Sequence, residues 1–102
     1  MKGYSKERWD ELNSGGNFKE YCREIATETG VETSEVVKTF PKYTKLLTEL
    51  QMYMMTRYYL MGKSKIQIQY ELGKASVRDV EKCLERADKN LKQIYRSLSK
   101  ED

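Results

Sequence analysis

Residues 77–98 read VRDVEKCLERADKNLKQIYRSL, and their apolar positions, Val77, Val80, Leu84, Ala87, Leu91, Ile94 and Leu98, step by three and four without a miss. That spacing sets them on one helical face over three heptads and leaves charge on the other faces. Ser76 stands where an N-cap belongs. The seam either packs on the chain's own helices or joins two copies of the chain.

Working outward, residues 66–70 (IQIQY) alternate as a strand would, but Ser64 and Gln67 form a capping pair and Gly73 stands at a C-cap position, so a helix over 64–72 is expected. Pro41 suits a first helical turn. It opens an expected long helix over 41–61 that Gly62 ends. Leu47, Leu50 and Met54 begin a seam on it, and eight of the ten residues from Met52 to Met61 are apolar or aromatic. A helix apolar on every side is a hub, or waits for a partner. Thr33 or Ser34 is expected to cap a short helix through Val36, Val37 and Phe40. Asn17 with Glu20 opens a helix carrying Phe18, Tyr21, Cys22, Ile25 and Ala26, which Gly30 closes. Ser5 caps a first short helix with Trp9 and Leu12, and residues 13–17 (NSGGN) read as the clearest linker.

The halves repeat weakly. Aligning Gly30 with Gly73 pairs Ile25 with Ile68 and Glu28 with Glu71; one added residue then pairs Val36 with Val80, Phe40 with Leu84, Leu47 with Leu91, Leu50 with Ile94 and Met54 with Leu98. The expected fold is all-α: one domain over 1–102, with a short helix in 1–13 and units 14–61 and 62–102, each ending in a long helix, packed as one small bundle.

Residues 23–37 (REIATETGVETSEVV) resemble the helix-turn-helix family, with Ala26 at the small position facing the second helix, Gly30 at the turn, and Val31 and Val36 at buried sites. Residues 62–84 are similar through Ile68, Leu72, Gly73, Val77 and Val80, but carry Gln69 where a small residue is usual and need one more residue in the turn. The resemblance implies that the second helix of a pair enters the major groove of DNA. The reading positions would be Thr33, Ser34, Glu35 and Lys38 in the first unit, and Ser76, Arg78, Asp79 and Lys82 in the second. Glu32 and Glu35 oppose phosphate in the first unit with only Lys38 to compensate, whereas in the second Arg78 and Lys82 are matched by Asp79 and Glu81 but backed by Lys63, Lys65 and Lys74, so the second is the better candidate. The histidine-free composition, rich in Tyr, Lys and Glu, also resembles small proteins of viruses or plasmids of hyperthermophilic archaea, which implies thermostability and a host cytoplasm if viral.

Composition excludes more than it assigns. With no histidine the commonest general base and metal ligand are gone. Cys22 and Cys83 match no zinc spacing and read as two buried thiols. Gly15-Gly16 lacks the spacing of a phosphate loop. No enzyme activity, cofactor or metal is expected. Charged residues make up 34% of the chain, so no membrane span is expected, and Lys2, Ser5, Lys6, Glu7 and Arg8 occupy the place of an apolar leader. A cytoplasmic location follows as the expectation. Leu, Ile, Val and Phe supply only 20 of 102 residues, with eight Tyr and five Met adding apolar area.

Charge is uneven. Residues 1–51 hold 8 basic and 9 acidic side chains, and residues 52–102 hold 11 and 7. Two function classes follow. The first is a non-catalytic interaction module that binds a protein, peptide or helix in a Met/Tyr groove of Met54, Tyr58, Tyr59, Met61 and Tyr95, with a homodimer as one form of partner. The second is a sequence-specific duplex-DNA regulator, with Arg78 and Lys82 near bases and Lys63, Lys65 and Lys74 on phosphates.

Overall fold

The computed structural model describes residues 5–99. Among these residues it is built from α1 (Lys6–Asn13), α2 (Phe18–Thr29), α3 (Thr33–Thr44), α4 (Glu49–Met55), α5 (Lys65–Leu72) and α6 (Val77–Ser99), with no strand. A π-helical turn, Thr56–Leu60, extends α4.

Local sequence explains most of the ends. The Ser5 hydroxyl accepts from the Arg8 amide and the Asn17 side chain accepts from the Glu20 amide. Ser64 and Gln67 complete a reciprocal capping box, which turns the alternating 66–70 segment into a helix. Gly30 (φ 81°) and Gly73 (φ 64°) close α2 and α5 in the left-handed conformation that favours glycine.

The middle of the α6 seam packs on the chain's own helices, while Val77 and Ile94 are half-buried and Leu98 is exposed. Val80, Ala87 and Leu91 are fully buried, and α6 lies against α2, α3, α4 and α5. Complete burial of a Val or Leu side chain contributes about 1.5–3 kcal/mol, so this face is the main anchor of the bundle. The same core takes Ile25, Val36, Phe40, Met54, Met55 and Ile68. The molecule measures 55 × 26 × 19 Å. A thickness of 19 Å admits about two helix layers, which limits how many side chains can be enclosed.

The expected long helix over 41–61 is not formed, and with it goes the architecture of two units each ending in a long helix. Pro41 lies inside α3, which runs on to Thr44. The chain then turns through 45–48, where the amides of Leu46 and Leu47 bond back to the carbonyls of Tyr43 and Thr44. Thr48 and Gln51 form a second capping box, which starts α4 afresh. Pro41 removes a helical hydrogen bond, and the Thr48 cap competes with continuation. Leu50 is consequently left at the surface. The start of α3 also differs from expectation: Glu32 takes the N-cap position with no side-chain bond, and neither Thr33 nor Ser34 caps it.

The Asn13-to-Asn17 segment is not a free linker. The Gly16 amide bonds to the Tyr58 carbonyl at 2.9 Å, satisfying a carbonyl at the end of the π turn. A Cβ on Gly15 would collide with the backbone of Gly62, and one on Gly16 would lie 2.5 Å from the Tyr59 ring. These glycines permit close approach of the backbone, and the segment after α1 is thereby fastened to the π turn and Gly62.

Candidate functional site

The five Met/Tyr groove residues do not gather on one surface. Met54 is fully buried and Tyr95 is 1% exposed, so neither can meet a partner; both belong to the core. The Tyr95 hydroxyl bonds with Thr39 at 2.9 Å and its ring meets Tyr43 edge-on. Burial pushes its phenol up to about 12. Tyr59 stacks on Tyr21 with ring centroids 4.1 Å apart and meets Phe40 and Tyr58 edge-on. Burial, and then the neighbouring Tyr58, raise its pKa. Met61 alone is well exposed, on the opposite side of the π turn, where it shares a shallow apolar groove with Met52 and Tyr53.

Beside Tyr21 lies a tight polar cluster. The Tyr21 hydroxyl donates to Asp88 at 2.6 Å, and burial followed by that contact raises its pKa strongly. The Lys92 ammonium is nearly buried and donates to Glu24 at 2.6 Å and Glu28 at 2.7 Å, with Asp88 at 3.2 Å. Burial works to lower the Lys92 pKa, but these three carboxylates outweigh it and leave it raised. The cluster ties α6 to α2 and carries more acid than base, with Arg96 adding a second cation 3.8 Å from Glu28. Among the described residues no group of His, Cys, Asp or Glu could hold a metal ion. Both cysteines are free, Cys22 is buried, and burial pushes its thiol up to about 11, which makes it a poor nucleophile. No described helix is long and apolar enough to cross a membrane.

The cationic residues divide into two groups. Lys63 pairs with Glu71 at 2.6 Å, and Lys65 reaches Glu81 at 3.2 Å and Glu11 at 3.8 Å. Arg8 joins Glu81 from α1 at 2.9 Å. Lys63 thus sits in a surface ion pair and Lys65 in a part-buried one, which leaves both less available to phosphate than Lys74. Arg78 and Lys82 are exposed on α6, and Lys74 sits part-buried in the turn before it. Two further exposed residues, Arg86 and Lys89, continue their line. At 100° per residue these four side chains fall within about 80° of arc, opposite the buried seam. None of the four makes an ion pair with a described residue. Glu85 borders the stripe on one side and Asp79 on the other, each about 20° beyond its edge.

No family model, curated protein or solved structure matches this chain. Arg86 and Lys89 were legible in advance, since they continue from Lys82 at steps of four and three on the face opposite Leu84 and Leu91.

Proposed function

We propose that the chain is a non-catalytic protein that binds double-stranded DNA through its second helix-turn-helix-like pair, with α5 as the supporting helix and α6 as the helix that faces the groove. The observation that carries this reading is the division of cations just described. Arg8, Lys63, Lys65 and Lys92 are paired with carboxylates, whereas Arg78, Lys82, Arg86 and Lys89 form a solvent-facing row that makes no ion pair with a described residue, although Asp79 and Glu85 border it. From Arg78 to Lys89 that row spans about 16 Å at 1.5 Å per residue, enough to meet several phosphates. Arg78 and Lys82 stand in the first turns of α6, the part that reaches base edges when such a pair docks. The first pair is less suited. Glu32 and Glu35 stand exposed at the start of α3 beside Ser34, with Lys38 as the nearest cation on the same helix.

Fluorescence anisotropy with a random-sequence duplex tests the reading. Four neutralised phosphates imply that affinity falls about a hundredfold between 50 and 200 mM salt. Replacing Arg78, Lys82, Arg86 and Lys89 together by Ala removes binding while the melting temperature holds, because the seam is untouched. Binding that is insensitive to salt, or that persists in the fourfold variant, rejects DNA as the ligand of this face.

A further inference from the structure

We propose that the chain pairs with a second copy of itself through the outward groove of α4 and the π turn. The groove is lined by Glu49, Met52, Tyr53, Thr56, Arg57 and Met61. It lies on the side of the π turn away from Gly16, and three neighbouring apolar side chains, Leu50, Leu60 and Met61, are 36%, 42% and 53% exposed. Methionine adapts its shape to whatever it meets, which suits this groove to a contact.

Charge identifies the occupant. Glu49 and Arg57 stand at the two ends of the groove, about 12 Å apart along the helix at 1.5 Å per residue. Neither makes an ion pair with a described residue. The Arg57 guanidinium rests on the Tyr53 ring at 4.4 Å and donates to the Met61 sulfur at 3.7 Å, so it is held over the groove. Its neighbour Glu71 takes its bonds from Lys63 and Tyr53 and meets Arg57 only through a longer-range attraction. A surface with opposite charges at its two ends and an apolar middle is complementary to itself when turned by a two-fold axis. Glu49 of each copy then meets Arg57 of the other, while Met52, Tyr53 and Met61 close on their counterparts. A two-fold interface requires this self-complementarity, and a chemically unrelated peptide does not supply it.

The pairing is independent of the DNA reading, since the groove and the α6 stripe share no residue, and its test reads mass alone. Sedimentation equilibrium of the full chain between 5 and 500 μM is expected to show a monomer–dimer equilibrium. Glu49→Arg and Arg57→Glu, taken singly, place like charges together and raise the dissociation constant about tenfold or more. The double swap, Glu49→Arg with Arg57→Glu, restores the original constant. Both residues lie at the surface of the bundle, and circular dichroism melts establish that each variant folds. Met52→Ser serves as a second disruption that adds no charge and leaves Arg57 and its contacts in place, and it too weakens the dimer. A monomer throughout the range overturns the proposal, and so does a dimer that ignores the single swaps or fails to recover in the double. Mass gained only on adding a foreign helical peptide overturns it in favour of a different partner.

Discussion

The segments α2-Gly30-α3 and α5-Gly73-α6 begin alike and end differently. In both, a left-handed glycine closes the first helix, and aligned side chains are enclosed: Ile25 with Ile68, Val36 with Val80, Phe40 with Leu84. Beyond those pairs the likeness stops. α6 continues to Ser99 and buries Leu91, whereas α3 ends at Thr44 and Leu50 comes to the surface. Apolar spacing is similar in the two halves, so it does not set the helix length. Two backbone-directed residues do. Pro41 aligns with Glu85 and weakens the ladder, and Thr48 aligns with Lys92 and opens a new helix.

The largest test of this contrast compares Leu91→Ala with Leu47→Ala in urea unfolding. The first removes a fully buried side chain and costs about 3 kcal/mol; the second removes a half-buried one and costs about 1 kcal/mol. Equal losses would restore the equivalence of the two halves. Next, Lys92→Met is expected to cost about 2 kcal/mol at neutral pH, because it leaves Glu24, Glu28 and Asp88 facing one another without their cation, with solvent screening part of the repulsion.

That deficit should depend on pH. Lys92 first, and then Arg96, hold the Glu28 pKa below the usual carboxylate range, so the stability this supplies is present above that range and is lost as pH falls through the lowered value. The gap between Lys92→Met and the parent therefore narrows in acid, and thermal melts across pH 7 to pH 3 will show whether it does. A smaller effect belongs to Thr48→Ala, expected to cost about 1 kcal/mol through loss of the α4 cap. No loss there would mean that something else divides α3 from α4. The smallest is Glu81→Gln. Burial pushes Glu81 up, but the bonds from Arg8 and Lys65 outweigh it and leave its pKa lowered. The variant should lose under about 1 kcal/mol at neutral pH, and it should lose less than the parent as pH drops through the carboxylate range.

Much of the fold was legible because caps and seams act locally. Ser5, Asn17, Ser64, Gly30 and Gly73 take the positions that their chemistry dictates, and the middle of the α6 seam faces inward. The break at 45–48 was legible too, since Thr48 and Gln51 repeat the pattern of Ser64 and Gln67. Pro41 obscured it, because a proline near a helix start and one inside a helix look the same in sequence. The site was harder to read. Helical spacing places Met54 and Tyr95 on faces but does not say which face a neighbour covers, and both are covered. Which lysines are neutralised depends on contacts such as Lys65 with Glu81, sixteen residues apart, and no local rule supplies those.

The bond from Gly16 to Tyr58 changes where the chain can be opened. To a protease, or to anyone splicing in a tag, a run of Asn, Ser and two glycines is the natural point of entry. Here that run is a fastener with no room for a single methyl group at Gly15, and an insertion would break its close approach to Gly62 and leave the Tyr58 carbonyl in the π turn without the Gly16 bond. The permissive point lies instead near Lys45 and Leu46, where the connection is exposed and Leu46 presents 66% of its surface. Limited trypsin digestion should cut there first.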